Sequence, residues 1–169
     1  VSIRNGFQLA ADEINAACGI NGNKLVLVVE DEQGKKEDAI NVFKKLIFQD
    51  KVLMTFGPTL SNSAQAADPI AQAAKTVAFG TSNTADGITS IGDYVFRNSV
   101  TEADVLPETL RVAIKHANVK KVAVLYGNDD VFTKSGYDNF KKALEDLKLP
   151  VTTTETFAKG DVDSVSYTH

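Results

Sequence analysis

The sequence lacks the features of a membrane-spanning or disulfide-stabilised protein. Its 169 residues contain one cysteine, Cys18, so no disulfide can form within the chain, and cysteine usage does not distinguish an oxidising from a reducing compartment. The longest apolar runs, at residues 25–29 and 122–126, are far shorter than the roughly 20 residues of a transmembrane helix. No signal-peptide pattern is present, as in a mature exported protein. The sequence therefore predicts no membrane span.

An excess of positive charge is also absent. The chain has 18 Lys and Arg residues against 22 Asp and Glu residues, which gives a formal net charge of −4 and a pI of about 5.2. Proteins that bind phosphate backbones or anionic membranes carry basic surfaces. Nucleic acid is thus excluded as an expected partner.

Catalytic and cofactor-binding motifs are missing as well. The sequence contains no G-x-G-x-x-G, no Walker motif and no G-x-S-x-G, and no base stands near a nucleophile in sequence. Acidic clusters at residues 30–32 and 129–130 could hold a divalent cation, but neither has the spacing of a calcium loop, which favours solvated acids at strand ends. We therefore expect no enzymatic activity, no cofactor and no metal site.

What the sequence does have is helices and strands in alternation. Apolar residues at helical spacing predict helices, and short Val- and Leu-rich runs between turn residues predict buried strands. The predicted helices cover residues 2–17, 37–49, 61–75, 103–117 and 134–147, and the predicted strands cover residues 25–29, 52–56, 76–80, 94–97, 121–126 and 151–156.

This alternation predicts an α/β fold with parallel, doubly wound, Rossmann-like sheets and helices on both faces. The chain begins in a helix with no strand before it, and residues 160–163 open another element near its end, so we expect a fold that is incomplete at both ends. The extended stretch at residues 97–102 predicts a boundary between a first lobe, residues 1–101, and the first part of a second lobe, residues 102–169. An unpaired strand edge in such a fragment predicts self-association.

Two polar loops follow two of the predicted strands. Loop one comprises residues 57–63, and loop two comprises residues 81–84. If both strands are parallel neighbours, the loops lie side by side at the carboxyl edge of the sheet, where open α/β folds bind ligands. Ser61 stands at an N-cap position, where it either only caps its own helix or helps the helix N-terminus to hold an anion. The hydroxyls of loop two favour the second interpretation.

Seven runs of the chain resemble the substrate-binding proteins of branched-chain amino acid ABC transporters, which are type I periplasmic binding proteins. The runs are EINAACGINGNKL at 13–25, VED at 29–31, FGP at 56–58, PIA at 69–71, IGDYVFR at 91–97, KVAVLY at 121–126 and SG at 135–136. The resemblance implies two Rossmann-like lobes that close on a ligand about a hinge near residues 98–102.

The resemblance also implies roles for individual residues. Ser61 corresponds to the serine that binds the ligand's α-carboxylate, Ser82 to a position that uses backbone groups, and Thr84 to the threonine that contacts both carboxylate and ammonium. Thr59 and Leu60 border the side-chain pocket. In the second lobe, Phe132 stands where the family often has a tyrosine, and the residue after it is Thr133 instead of the usual glycine.

The expected function is that of a non-catalytic solute-binding protein, which captures an amino acid or amide-like small molecule and presents it to an ABC permease. It would be periplasmic or extracellular, with or without a lipid anchor. The first alternative is a ligand-sensing domain of a receptor or regulator with the same fold. A small flavodoxin-like enzyme is the second.

Overall fold

A computed structural model describes residues 2–161 of the chain. The chain divides into two compact units, Val1–Asp31 and Glu32–His169. The element that the sequence predicts to open at residues 160–163 lies partly outside the described residues, and only a turn at 159–160 falls within them.

The first unit consists of a helix and a turn. Helix α1 spans Ser2–Ala16, as predicted. The turn after it requires glycine at position 19, because a Cβ there would lie 2.0 Å from the carbonyl oxygen of Asn23 and the backbone has a φ of +72°. The Asn15 side chain then holds Leu25, since its amide donates to the Leu25 carbonyl at 2.8 Å and its oxygen accepts from the Leu25 N–H at 2.7 Å.

The strand predicted at residues 25–29 does not form, so this prediction is wrong. A strand needs a neighbour to bond to, and within the described residues this stretch has no ladder partner. Val26 is 76% exposed instead of buried between two layers. Apolar character alone therefore did not decide the backbone conformation.

The first sheet of the second unit has three parallel strands. Its strands are β1 (Met54–Phe56), β2 (Val77–Gly80) and β3 (Val95–Arg97), in the order β1-β2-β3. Phe56 pairs with Phe79, and Gly80 pairs with Arg97. Helix α2 (Lys36–Lys44), extended by a π turn at Lys45–Gln49, packs against helix α3 (Ser61–Ala74). The core they share is made mostly of alanine: Ala39, Phe43, Ile47, Ala67, Ala71 and Ala78.

A second, two-stranded parallel sheet follows a 3-10 turn at Thr89–Ile91 and helix α4 (Glu102–Ala117). It contains β4 (Val122–Gly127) and β5 (Val151–Phe157). Helix α5 (Val131–Asp146) connects them and packs on α4 around a buried core of Leu110, Ala143 and Leu144. The sequence predicted that α5 starts at residue 134. That start is three residues too late, because Asp130 caps the helix by accepting from the Phe132 N–H at 3.4 Å.

The predicted α/β fold with parallel strands is confirmed. The two sheets stand before and after residues 101–102, and the division into two lobes at this point stays a prediction. Within residues 2–161, no helix combines the length and the apolar character needed to cross a bilayer.

Candidate functional site

Loops one and two lie side by side, as the sequence predicts for loops that follow neighbouring parallel strands. Loop one follows β1, loop two follows β2, and these two strands pair directly. The Ser82 hydroxyl donates to the Thr59 carbonyl at 3.4 Å, and the Ala85 N–H donates to the Ser61 hydroxyl oxygen at 3.3 Å. The two loops therefore form one continuous polar surface at the carboxyl edge of the sheet.

Ser61 does not cap its own helix, which corrects the N-cap prediction. The residue at the N-cap is Leu60, with extended backbone angles and no capping side chain, and Ser61 is the first residue of α3. Only 2% of Ser61 is exposed. Its hydroxyl oxygen points to the Ala85 amide, so the side chain joins the two loops and leaves the first-turn amides of α3 to other acceptors.

Asn83 holds the two loops together, a role that the sequence did not predict. Its side-chain amide donates to the Pro58 carbonyl at 3.0 Å, and its own carbonyl accepts a hydrogen bond from the Ser99 hydroxyl. Asn83 is 1% exposed and lies over Gly80, where a Cβ would come within 2.4 Å of its amide nitrogen. In the sequence, the sign of this contact is a glycine at the end of a strand, three residues before an asparagine.

Two hydroxyls of loop two are buried and unsatisfied. The Oγ1 atoms of Thr81 and Thr84 have no hydrogen-bond partner among residues 2–161. A buried hydroxyl without a hydrogen-bond partner destabilises the folded protein, and a ligand group that bonds to the hydroxyl removes this cost. Thr84 is anchored through its backbone, because its carbonyl accepts from the Glu102 N–H at 3.3 Å.

The residues predicted to border the side-chain pocket are exposed. Leu60 is 47% exposed and lies against the turn at Gly34, where an added Cβ would be 3.4 Å from the Leu60 Cδ1. Thr59 and Ser82 are exposed too, and bonded to each other. These residues form the outer part of the loop surface, and Ser61 and Thr84 form its buried part.

Phe132 lies just after a third loop. We call residues 128–130, between β4 and α5, loop three. Phe132 is the second residue of α5 and is 46% exposed. The residue before it, Val131, donates its N–H to the side-chain oxygen of Asn62 at 2.8 Å, which brings the start of α5 next to the start of α3. The Thr133 hydroxyl bonds to the Gly127 carbonyl at 2.6 Å, so threonine is accommodated at this position.

Acidic groups surround the place where α4 and α5 begin. Burial raises the pKa of the Glu102 carboxyl, a hydrogen bond from Ser135 opposes this, the nearby Asp86 and Asp130 raise the pKa further, and Arg97 lowers it. The Arg97 guanidinium donates to the Ala85 carbonyl at 2.7 Å and thereby also supports loop two. In the described part of the chain, no cluster of three or more His, Cys, Asp or Glu side chains is suited to a metal ion.

A further buried acid lies on α3 outside the loops. Asp68 is almost completely buried, and burial raises the pKa of its carboxyl to about 7. One carboxyl oxygen of Asp68 has no partner among the described residues. Asp68 therefore lies in the interior of the fold and not at the loop surface.

Known proteins share both the sequence pattern and the fold. An amino acid binding protein of Pseudomonas aeruginosa is 28% identical over 166 residues, which cover 94% of this chain and 42% of that protein. A Leu/Ile/Val-binding protein of Citrobacter freundii is 27% identical over 146 residues, covering 84% of this chain and 40% of that protein.

Among solved structures, the substrate-binding protein LivJ of a branched-chain amino acid transporter from Streptococcus pneumoniae, in complex with isoleucine, superposes with a TM-score of 0.88. It is 32% identical, and the match covers 97% of this chain and 46% of LivJ. The chain thus spans less than half the length of the relatives it matches. A family model described as periplasmic binding protein matches residues 1–168. The resemblance seen in the sequence is confirmed, and the chain belongs to the periplasmic binding protein family.

Proposed function

We propose that this protein binds an amino acid or amide-like small molecule without transforming it, and that it presents the ligand to an ABC permease. The observation that carries the proposal is the meeting of loops one and two, which places the Ser61 hydroxyl, the start of α3 and the unsatisfied Thr84 hydroxyl at one sheet edge. The relatives named above bind amino acids, which makes an amino acid the first ligand to test.

The carboxylate of the ligand would bind at the start of α3. The first-turn amides of a helix lack intrahelical acceptors, and the helix dipole favours a negative charge there. The Ser61 oxygen accepts from the Ala85 amide, which fixes its position while its own proton stays available to donate. A carboxylate oxygen is a suitable acceptor for that proton and for the first-turn amides together.

The ammonium group and the side chain of the ligand would use the remaining residues. The Thr84 hydroxyl can donate to the carboxylate and accept from the ammonium, because a hydroxyl has one proton and two lone pairs. Backbone groups of Ser82 complete this part of the site. Thr59, Leu60 and Phe132, exposed at the outer part of the loops, would border the ligand's side chain.

The site favours binding over catalysis. The partner of the Ser61 hydroxyl oxygen is a backbone amide, which cannot act as a general base. A role in capture for transport agrees with the periplasmic binding protein family, and it implies a protein outside the cytoplasmic membrane with a permease as its partner.

Isothermal titration calorimetry of the protein at its natural length tests this proposal, with leucine, isoleucine and valine as ligands. We expect binding of at least one of them, and a loss of affinity of more than about 100-fold in the Ser61→Ala/Thr84→Ala variant, since two hydrogen bonds to charged groups are lost. The control is Thr55→Val, which removes a buried hydroxyl in β1 outside both loops.

The proposal has two ways to fail in this experiment. Binding of none of the three amino acids would contradict the function. Unchanged affinity in the double variant, with circular dichroism showing a folded protein, would contradict the assignment of Ser61 and Thr84.

A further inference from the structure

Helix α5 is tied to the start of α3 and to the turn after loop two by a small set of hydrogen bonds. Besides the bond from the Val131 N–H to Asn62 at 2.8 Å, the Asp86 N–H donates to the Ser135 hydroxyl oxygen at 3.1 Å. The Asn139 amide donates to an Asp86 carboxylate oxygen at 2.7 Å. We call these five residues the α5 interface. The bonded partners are separated by 49 to 69 positions in the chain, so the bonds join segments that are distant in sequence.

Asn62 supplies a cap for a helix to which it does not belong. The N-cap residue Asp130 satisfies the Phe132 amide, and the Val131 amide would otherwise be one of the unpaired donors at the start of α5. Val131 also packs its side chain against a buried cluster of Ala64, Ala85, Ile88 and Val95. The polar and the apolar contact together fix the first turn of α5 against α3.

Asp86 contacts α5 one to two turns further along. It uses its backbone N–H and its carboxylate at once, to Ser135 and to Asn139. Gly136 also faces α4, since a Cβ at this position would lie 2.8 Å from a carboxyl oxygen of Glu102. The helix is therefore held at two points, and its close side carries the smallest residue.

The first of these points lies next to the candidate ligand contacts in sequence. Asn62 follows Ser61, and its partner Val131 precedes Phe132. Loops one and two are bonded to each other through Asn83, Ser61 and Ser82, without a contribution from α5. Loosening α5 would thus leave the carboxylate contacts in place and displace Phe132.

We propose that the side chains of Asn62 and Asp86 have a positioning role in ligand binding: they hold α5 and Phe132 against loops one and two and do not themselves contact the ligand. This inference rests on the proposed function. Its consequence is kinetic: the α5 interface slows the release of a bound ligand and has little effect on its capture, because capture depends on the loop surface that forms without α5.

Stopped-flow binding of the tightest of leucine, isoleucine and valine to the protein at its natural length tests the positioning role. We expect Asn62→Ala and Asn139→Ala each to raise the dissociation rate constant by about fivefold, as the loss of one partly exposed hydrogen bond implies, with association rate constants within about twofold of wild type. The matched control is Asp138→Ala, an exposed neighbour on the same helix, which should change neither rate constant.

A swap of donor and acceptor separates positioning from general loss of stability. Asn139→Asp alone places two carboxylates together and should raise the dissociation rate constant more than Asn139→Ala does. Adding Asp86→Asn restores an amide–carboxylate pair with its direction reversed, and should return the dissociation rate constant to within about threefold of wild type. Failure of the swap to rescue, or unchanged rate constants in Asn62→Ala, would overturn the proposal.

Amide hydrogen exchange tests the α5 interface without any ligand. We expect the Asp86 amide to be protected, and its protection to fall by about tenfold or more in Ser135→Ala but not in Asp138→Ala. An unprotected Asp86 amide in the wild type would overturn the interface itself. Protected amides in a protein that binds none of the three amino acids would instead contradict the proposed function and, with it, the positioning role.

Discussion

Loops one and two differ from loop three in how they are held, although all three follow parallel strands. Loops one and two are joined to each other by side chains that are almost fully buried, above all Ser61 and Asn83. Loop three is mostly exposed, and the side chains of Asn128 and Asp129 bond to exposed partners near β5. Loops one and two therefore form a surface before any ligand binds, whereas loop three is held more loosely.

This difference indicates which parts of a binding site of this kind must be rigid. Groups that recognise a carboxylate must be in place before the ligand arrives, because ordering them on binding costs affinity. Loop three and the start of α5 contribute an apolar residue, Phe132, whose contact tolerates more adjustment. Variants of the buried interior, of the bond between loops one and two and of loop three should therefore differ in their effects.

Asp68, the buried acid on α3, should make the stability of the protein depend on pH. Burial raises the pKa of its carboxyl to about 7 in the folded protein, against about 4 in an unfolded chain. Between these values the folded state keeps a proton that the unfolded state has lost, so the free energy of unfolding falls as the pH rises from about 4 to about 7. This loss should be on the order of 4 kcal/mol.

Urea unfolding of Asp68→Asn and wild type at pH 4 and pH 7.5 measures this effect. We expect the variant to be the more stable protein at pH 7.5 and to be close to the wild type at pH 4. The exposed Asp138→Asn serves as the control and should follow the wild type at both values. Equal differences between Asp68→Asn and wild type at the two pH values would show that the pKa of Asp68 is the same in the folded and the unfolded protein.

The bond between loops one and two should matter more than a bond of loop three. Asn83→Ala removes a buried side chain and leaves the Pro58 carbonyl without its donor, which should cost about 2 kcal/mol in the free energy of unfolding. Asn128→Ala removes an exposed bond from loop three to Thr156 and should cost less than about 0.5 kcal/mol. Urea unfolding of both variants gives the comparison, and equal losses would remove the contrast between the loops.

The sequence predicted most of the elements because their patterns are local. Apolar periodicity located α1 to α4, and turn residues bounded β2 and β4. It predicted a strand at residues 25–29 that did not form, because strand formation depends on a neighbour that no local pattern specifies. The start of α5 was misplaced because its local cap, Asp130, was not recognised, and its second cap, Asn62, lies 69 positions before Val131.

The candidate site shows the same limit. The sequence predicted that loops one and two adjoin, since pairing of consecutive parallel strands is the usual topology. It did not predict that Ser61 bonds across to Ala85 instead of capping α3, or that Asn83 joins the loops. Both depend on the register of β1 with β2, which sets the carbonyl and amide groups that face each side chain.

Recognition of a carboxylate at the start of α3 is the step on which the proposed function depends. Isothermal titration of the protein at its natural length with whichever of leucine, isoleucine and valine binds the most tightly, and then with the primary carboxamide of the same amino acid, tests it most directly. The carboxamide keeps the shape, the side chain and the ammonium group and lacks the negative charge. We expect a loss of affinity of about 100-fold or more for the carboxamide, and equal affinities for the two compounds would contradict the account.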